Sequence, residues 1–491
     1  MPVFGWLFIL VIFLLILNYV NNNRPSPYLK TIPLIKPWYP ILGNARHFMG
    51  KDRQQVFESL KQVFSCHERI FQLWFGSRLT IGVTHPELIR KLLTNADCVE
   101  KPFFYRFSRV DHGLWAANAN LWQQQRRAVN PTFSSRVLSS FVPIFENLSA
   151  VLVDRLSTRQ GLEVDILQFS SQSALEMVCA TTLGSRLDQL DTKNSDLETL
   201  LDRLDRLSAI VSKRLFSPHL HSDIVYQRTS DFRREMNLRK ECYEVTSRIL
   251  ERKRENLHQK SPQTPKVFIE QLLDTSLVKR RFTDQEIIHN VYSMLAAGSE
   301  TTALTLAYAC LLLAMFQDVQ EKVFKEISEV LDPEDPLTVE TLTRLRYMDQ
   351  FFRETMRLCP VAPLIARETT SSIELDGARF PKGTVFLMSI FALHRRKDLW
   401  GPDSDKFNPD RFEEGNSLEG RDPFAYIPFS AGSRNCIGHR YANISMKIMI
   451  VHILRKFRLN TSLRFEDLKF ESGMMLFLAG QHLVRLETRG T

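Results

Sequence analysis

The chain of 491 residues lacks the features that separate a protein into several domains. It has no Gly/Ser-rich linker, no internal repeat and no low-complexity segment, and glycine accounts for only 19 residues. Length alone suggests about three domains at roughly 150 residues each, but without linkers one large domain remains possible. The hydrophobic content of 44% is sufficient for a large core.

The cysteines lack the pattern of a disulfide framework. There are seven of them, an odd number, they are widely spaced, and no two form a Cys-x-x-Cys pair. This pattern favours a reducing compartment over secretion. Cys436 and His439 form one Cys-x-x-His pair, but a structural zinc ion needs about four ligands at paired spacings. Zinc is therefore disfavoured.

Basic patches interleaved with aromatic residues, which are typical of nucleic-acid-binding proteins, are not evident. The chain has 64 basic and 55 acidic residues and a net charge of +9. An excess of this size suits an anionic membrane surface or an acidic protein partner. We therefore expect no nucleic-acid partner.

The N-terminal segment Val3–Val20 is apolar apart from Asn18, and its 18 residues are near the minimum for crossing a bilayer. It has no Lys or Arg in front and no small-residue cleavage pattern behind, which argues against the alternative, a cleaved signal peptide. Three cations follow the segment: Arg24, Lys30 and Lys36. Residues 1–22 are therefore predicted to be an uncleaved membrane anchor, and by the positive-inside rule the main body lies in the cytosol.

Residues 23–45 contain Pro33, Pro37 and Pro40, which are four and three residues apart. Proline fixes φ and removes a hydrogen-bond donor, so this stretch is predicted to be a stiff, non-helical strap between the anchor and a main body at 46–491. A simple surface loop is compatible with the same pattern.

The main body is predicted to be mainly α with a minor β part. The pattern is mostly helical from about 120 to 355, and short strands and turns follow Pro360. Alternation of apolar residues and turn signals predicts strands at Phe71–Phe75, Leu79–Val83, Ile373–Leu375 and Val385–Ser389.

A long helix is predicted from Thr283 to about Met315. Thr283 and Glu286 form a capping box at its start. The middle of the helix carries the segment AGSETT at 297–302, in which Gly298 costs about 1 kcal/mol relative to alanine. Small residues here would let a flat molecule lie against the helix. The alternative is a helix–helix crossing at these small residues.

Within this segment, Glu300 and Thr301 place a carboxylate beside a hydroxyl, where we expect the helical backbone to be loosened. Such a pair can relay protons to a reacting group.

Three further charges are far apart in sequence. Glu354 and Arg357 lie i,i+3 on a helix, and Arg411 lies in the segment FNPDRF at 407–412. On a surface the i,i+3 pair would be worth a few tenths of a kcal/mol. A buried glutamate between two arginines would instead act as a structural lock, because breaking it would leave a charge unpaired.

The segment FSAGSRNCIGHR at 429–440 places Cys436 between two glycines. Glycine on both sides of a cysteine is costly unless the backbone passes very close to another group.

Taken together, these motifs resemble those of the cytochrome P450 superfamily, and they occur in the same order and near the same spacing. The resemblance covers essentially the whole chain, and the fatty-acid ω-hydroxylase branch is nearest. Many members of that branch carry a glutamate, which can esterify the haem, where this chain has Ala297, so the haem b is expected to be non-covalent. The matching motifs are Trp122-x-x-x-Arg126, AGSETT, Glu354-x-x-Arg357, FNPDRF and Phe429-x-x-Gly432-x-Arg434-x-Cys436-x-Gly438.

The resemblance implies that Cys436 is the axial thiolate ligand of the haem iron. Gly432 and Gly438 would let the backbone approach the sulfur and donate N–H groups to it, and Phe429 would belong to the same cofactor-binding loop. The haem propionates would accept charge-assisted hydrogen bonds from Arg126, Arg367 and Arg434. The indole of Trp122 would help to hold them.

The resemblance also assigns roles outside the cysteine loop. Glu300 and Thr301 would control proton delivery to the reacting oxygen. Glu354, Arg357 and Arg411 would form the lock that supports the cysteine loop.

The implied activity is that of a membrane-anchored haem-thiolate monooxygenase. It would hydroxylate or epoxidise a lipophilic substrate, either a fatty acid, a terpenoid, a steroid or a xenobiotic, with one oxygen atom of O₂. Two alternatives stay open: a haem-thiolate isomerase or dehydratase acting on a peroxide, and a haem-binding sensor or carrier without turnover. The candidate pocket residues, any of which could equally be core, are Phe103, Phe104, Ala297, Thr301, Val361, Ala362, Leu476 and Phe477.

Electrons would come from NADPH indirectly, through a flavoprotein reductase, with cytochrome b5 as a possible second donor. The reductase is expected to dock on a basic face near Arg434, Arg440 and Lys447.

Overall fold

The structure is a computed structural model of the chain. It describes Phe13 and residues 27–39, 42–76, 78–184, 196–215, 217–257, 266–274, 282–332, 335–415 and 422–490. The predicted anchor at 1–22, apart from Phe13, lies outside the described residues and stays a prediction.

Helices form most of the described chain, as predicted. In chain order they are α1 (Arg53–Ser65), α2 (Pro86–Thr94), α3 (Ala119–Val129), α4 (Ser135–Ser157), α5 (Ile166–Leu183), α6 (Asp196–Leu215), α7 (Asp223–Tyr226), α8 (Ser230–Leu257), α9 (Phe268–Leu273), α10 (Asp284–Met315), α11 (Gln317–Val330), α12 (Val339–Thr343), α13 (Arg346–Leu358), α14 (Ile390–Leu393), α15 (Lys397–Trp400) and α16 (His439–Lys456).

The minor β part is gathered into small sheets. Its strands are β1 (Ile70–Phe75), β2 (Arg78–Val83), β3 (Glu163–Asp165), β4 (Leu364–Glu368), β5 (Ile373–Leu375), β6 (Ala378–Phe380), β7 (Val385–Ser389), β8 (Phe457–Asn460), β9 (Phe470–Ser472), β10 (Leu476–Leu478) and β11 (Leu483–Thr488). Within the described residues the largest sheet has the order β1-β2-β7-β4, and the three-stranded sheet has the order β3-β11-β8. The predicted strands at 71–75, 79–83, 373–375 and 385–389 are confirmed.

Helix α10 begins and ends where the sequence predicted. The Thr283 hydroxyl accepts from the Glu286 N–H at 3.2 Å, and the Glu286 carboxylate accepts from the Thr283 N–H at 2.9 Å, which completes the capping box. The helix is continuous through 297–302. The predicted loosening of the backbone in this segment is therefore wrong.

Helix α10 is the centre of the core. Helices α4 and α10 are apolar and long enough to cross a bilayer, but 78% of the apolar window of α10 is buried inside the protein. A core helix satisfies the same criterion of length and composition. Gly298 lies against α5, where an added Cβ would come within 3.0 Å of Val178. The small residues therefore do serve a helix crossing, which was the alternative interpretation of this segment.

The described part of the strap is held against β1 by buried side-chain amides. The Gln72 amide donates to the carbonyls of Leu29 and Ile32, at 2.8 Å each. The Asn44 amide donates to the Ile35 carbonyl at 2.7 Å and accepts from the Trp74 N–H at 2.8 Å. Because these groups are removed from water, their hydrogen bonds fix where the strap leaves the body.

We expect Gln72→Leu to release the strap. The substitution removes the Gln72 donor from both carbonyls. The Leu29 carbonyl still accepts from the Ile32 N–H, but the Ile32 carbonyl is left without a donor, which costs about 1–3 kcal/mol. Urea unfolding should show the loss, and limited proteolysis should cut within 27–39 sooner than in the wild type. Gln62→Leu, on the exposed face of α1, is the control; equal proteolysis of the two variants would contradict the prediction.

Candidate functional site

A cavity of about 2160 Å³ lies between α10, the start of β4 and the loop before α16. This volume exceeds the roughly 300–1,000 Å³ that is typical of a site for one small molecule. Its wall includes most of the predicted pocket residues, namely Phe103, Phe104, Ala297, Thr301, Val361 and Ala362. Leu476 is instead fully buried in the core, and Gly473 and Met474, not Leu476 or Phe477, form that part of the wall.

Cys436 lies in the cavity wall at the end of a tightly turned loop. Its N–H donates to the Phe429 carbonyl at 2.9 Å, and the Asn435 N–H donates to the Gly432 carbonyl at 3.2 Å. Gly432 has φ of +73°, and an added Cβ would lie 1.8 Å from the Leu93 carbonyl oxygen at the end of α2. Glycine is therefore needed here because of its left-handed φ and the close approach of α2; the prediction that it also makes room for the sulfur stays a prediction.

The sulfur of Cys436 faces the cavity, within a largely buried surrounding. Burial raises the pKa of the Cys436 thiol, whereas the Gly438 N–H and the Arg126 guanidinium lower that pKa. The predicted donation from the Gly438 N–H to the sulfur agrees with this effect on the pKa and stays a prediction. The His439 ring lies 3.2 Å from the Cys436 carbonyl oxygen. Among the described residues no three His, Cys, Asp or Glu side chains are grouped to hold a metal ion.

Arg434 is a buried cation, and some of its N–H donors lack an acceptor. Its Nη2 donates to the Ala117 carbonyl at 2.6 Å, and its guanidinium lies over the Trp122 ring, 4.6 Å from the centroid. Nε and Nη1 have no hydrogen-bond partner. Burial, and next the charge of Arg367, lower the pKa of Arg434 to about 9.

Further cations line the same part of the cavity. Arg367 donates to the Ser430 hydroxyl at 3.2 Å. Arg126 is held by the cysteine loop, since it donates to the Asn435 carbonyl at 3.0 Å and to the Asn435 side-chain oxygen at 2.8 Å. Lys101 was not singled out in the sequence. Burial, and then the charges of the neighbouring arginines, lower its pKa well below the usual range.

This wall fits a haem. Buried donors without acceptors need an explanation. Arg434 lines the cavity, and its Nε and Nη1 atoms lack acceptors; two propionate carboxylates bound there would supply acceptors beside this guanidinium. Cys436 is directed at the same cavity, whose remaining wall is largely apolar, as a macrocycle requires. Ala297 lines the cavity and offers no carboxylate for an ester bond.

The side chains of the predicted proton-relay pair, Glu300 and Thr301, point in different directions. Thr301 lines the cavity, and its hydroxyl donates to the Ala297 carbonyl at 2.6 Å. Glu300 is one residue earlier, which turns it about 100° around the helix. Its carboxylate accepts from the Ser208 hydroxyl of α6 at 3.4 Å.

The buried lock is present between Glu354 and Arg357. Both side chains are 0% exposed, and the guanidinium donates to the carboxylate at 2.6 and 2.8 Å. The remaining Arg357 donors reach three main-chain carbonyls, those of His394 (2.8 Å), Ser404 (2.6 Å) and Lys406 (3.1 Å). The pair therefore ties α13 to the segment between β7 and the FNPDRF motif.

Arg411 belongs to the lock less directly than predicted. Its Nε lies 3.6 Å from Glu354, whereas its Nη atoms donate to the Asp403 carboxylate at 2.8 and 3.2 Å. Glu354 instead accepts from the Asn408 N–H at 2.9 Å. The only local signal for Asp403 was the repeated Pro-Asp pair at 402–403 and 409–410.

Two of the three predicted docking cations are buried. Lys447 pairs with Asp349 at 2.8 Å and donates to the Leu342 carbonyl at 2.8 Å, and Arg434 faces the cavity. Only Arg440 is exposed. The predicted docking face near these residues stays a prediction, and of the three cations only Arg440 is available to a partner at the surface.

The fold and the site define a mainly helical haem-thiolate protein. Residues 33–484 match the family model described as "Cytochrome P450", and the chain belongs to that family.

Similar proteins span nearly the whole chain. "Probable cytochrome P450 313a4" of Drosophila melanogaster is 31% identical over 98% of both chains, and "Cytochrome P450 4c21" of Blattella germanica is 28% identical over 96% of both. "Cytochrome P450 4V2" of Mus musculus is 28% identical over 93% of this chain and 90% of its own. The chain is a monooxygenase that binds haem b non-covalently and takes electrons from NADPH through a reductase.

We expect Glu354→Gln to lower the free energy of unfolding by about 3–5 kcal/mol, because it leaves the buried Arg357 charge uncompensated. Urea unfolding of the holoprotein checks this. Glu58→Gln is the control, since Glu58 forms an exposed i,i+3 pair with Lys61 and should cost less than about 1 kcal/mol. Similar losses in both variants would argue against the lock.

We expect Arg434→Leu to weaken haem binding roughly tenfold or more, since a hydrogen bond to a charged group contributes about 1.5–3 kcal/mol. Haem transfer to apomyoglobin measures the change. Arg458→Leu, which removes an exposed arginine of β8, should leave the transfer rate unchanged. Equal rates for the wild type and Arg434→Leu would refute the assignment.

Proposed function

We propose that Cys436 is the axial thiolate ligand of the haem and that the chain hydroxylates or epoxidises a lipophilic substrate. The observation that carries the proposal is the placement of one cysteine and four cations, Lys101, Arg126, Arg367 and Arg434, on the wall of the same cavity. The cysteine supplies a soft ligand, and the cations supply the donors for two propionates.

The residues around Cys436 tune its thiolate. The Gly438 N–H and the Arg126 charge both lower the pKa of this thiol, which opposes the cost of burying the anion. The haem, when bound, supplies the activation of O₂. The protein excludes water with the apolar wall and keeps the substrate beside α10.

Thr301 and Glu300 move protons in this proposal. The Thr301 hydroxyl lies at the cavity wall, and Glu300 lies behind it, toward α6. When the Thr301 hydroxyl turns away from the Ala297 carbonyl, it would donate its proton to the reacting oxygen and regain one from a protonated Glu300 through an intervening water, because the Glu300 side chain faces α6. The continuous helix keeps the two groups one residue apart in a fixed geometry.

The substrate is lipophilic and reaches the cavity from a membrane. Phe103, Phe104 and Val361 give the wall its apolar character, and the exposed Leu42 and Met49 lie at its edge. Ile224, on α7, is 67% exposed. Exposed apolar groups of this kind suit contact with lipid, and together with the predicted anchor at 1–22 they support a location at the endoplasmic reticulum membrane.

An acidic electron donor docks on the surface near α16. A groove of about 310 Å³ is lined by Ser135 of α4, Thr343 of α12 and Arg440 of α16. Arg136 and Arg344, each next in sequence to a lining residue, are exposed as well. Three exposed arginines around one groove suit an acidic partner, which is the flavoprotein reductase, with cytochrome b5 as a second donor.

The carbon monoxide difference spectrum of the reduced protein tests the ligand. Wild type should give the band of thiolate-ligated haem, and Cys436→Ser should lose it. Cys359→Ser, at a buried cysteine of the core, should keep it. A wild type without the band, or a Cys436→Ser variant with it, would disprove the proposal.

Substrate-dependent NADPH consumption with the reductase tests the reaction. A monooxygenase consumes NADPH and O₂ with the substrate, whereas a peroxide isomerase needs neither and a sensor shows no turnover. Substrate-binding difference spectra across fatty acids, terpenoids, steroids and xenobiotics identify the substrate class.

We expect Thr301→Ala to lower the product formed per NADPH by about 10²-fold or less, because a positioned proton donor contributes about 10²–10⁴-fold and water can replace part of the relay. Product and NADPH are measured in the same reaction. Thr305→Ala removes a hydroxyl one turn later on α10 and should change the ratio little. An unchanged ratio for Thr301→Ala would remove Thr301 from the relay.

A further inference from the structure

His394 connects the buried lock to the cysteine loop. Its main-chain carbonyl accepts from Arg357 Nη1 at 2.8 Å. Its ring Nε2 accepts from the Ile427 N–H at 3.0 Å. The side chain is 0% exposed. One residue thus bonds to the lock through its backbone and to the loop through its ring.

The ring of His394 is held as a neutral acceptor. Burial, followed by the charges of Arg357 and Arg395, lowers its pKa to about 3. The ring stacks on Tyr426 with centroids 5.1 Å apart and lies edge-on to Trp400 at 6.4 Å. The proton is then on Nδ1, which lies toward the main-chain carbonyls of Met356 and Arg357 but forms no hydrogen bond of regular geometry with them.

The lack of a well-placed acceptor at Nδ1 shows which ring atom matters. A buried donor without such an acceptor is destabilising. A phenylalanine would fill the same space without that cost. The contribution of a histidine at this position is therefore its one hydrogen bond, to the Ile427 N–H.

From Ile427 the connection continues to Cys436. The Ile427 carbonyl accepts from the Ser430 N–H at 2.9 Å, and the Phe429 carbonyl accepts from the Cys436 N–H at 2.9 Å. Ser430 has φ of +59°, a left-handed conformation that is costly for a residue other than glycine. A strained loop keeps its shape only when its surroundings hold it.

We propose that His394 is a positioning residue of the haem-thiolate centre, which transmits the rigidity of the Glu354–Arg357 pair to the cysteine loop through its bond to the Ile427 N–H. The inference rests on the proposed role of Cys436. It adds a residue, outside every motif that the sequence singled out, on which thiolate ligation depends.

The test uses matched variants of the full-length holoenzyme. His394→Phe keeps the shape of the ring but has no acceptor, and His394→Gln supplies a side-chain oxygen. We expect His394→Phe to weaken haem binding on the order of tenfold, the lower end of the effect that partners of metal ligands exert. In the reduced carbon monoxide complex, part of the thiolate band should be lost, and His394→Gln should restore both properties toward wild type.

His394→Met and His394→Gln form a second pair of equal length, which keeps the test decisive if His394→Phe does not fold. The glutamine variant should then retain more of the thiolate band than the methionine variant. His482→Phe is the control, because His482 is also buried but its ring is not bonded to the cysteine loop. It should leave the band unchanged.

The outcomes separate the two proposals. Wild-type haem affinity and a wild-type band in His394→Phe, or equal bands in the glutamine and methionine variants, would overturn the role of His394 alone. A wild-type protein without the thiolate band would overturn the proposed ligand first. A loss of the band in His482→Phe as large as in His394→Phe would also overturn the positioning role, because general destabilisation would then explain both.

Discussion

The structure depends on one buried ion pair, Glu354 with Arg357. Two charges removed from water stabilise a fold only when every remaining donor and acceptor is satisfied. Here the Glu354 carboxylate accepts from the Asn408 N–H, and the Arg357 guanidinium donates to three main-chain carbonyls between 394 and 406. Irregular backbone that could otherwise adopt many conformations is thereby fixed against α13. The cysteine loop, which has little regular structure of its own, lies next to that fixed backbone.

The cavity combines two environments that would be incompatible without a ligand. Apolar side chains remove water from its wall, and the same desolvation lowers the pKa of Arg434 and Lys101. Cations gathered in this way repel each other and lose hydration. An anionic cofactor with an apolar body resolves both costs, because its carboxylates pair with the cations and its ring covers the apolar wall. The arrangement of cations and apolar surface in the cavity is thus complementary to haem.

Helix α10 shows how adjacent residues acquire different functions. Ala297 and Thr301 lie four residues apart on the face that lines the cavity. Gly298 packs on α5, and Glu300 turns toward α6. A single turn of helix thus provides a cofactor surface, a helix contact and a carboxylate behind the wall. Of the alternatives that the sequence left open, the helix crossing is present at Gly298, and a different face, with Ala297 and Thr301, is left open to the cavity where a flat ligand would lie.

The sequence by itself determined the features that depend on local physics. The capping box, the hairpin of β1 and β2, the bounds of α10 and the motif around Cys436 were all predictable, because hydrogen bonds and steric limits within a few residues specify them. Tertiary structure alone decided which groups meet across the chain. The pairing of Arg411 with Asp403, the burial of Lys447, the contact of Gly432 with Leu93 and the link through His394 could not be predicted. In each case the partner comes from another element, and burial, which sets the strength and the role of a charge, exists only once those elements have packed.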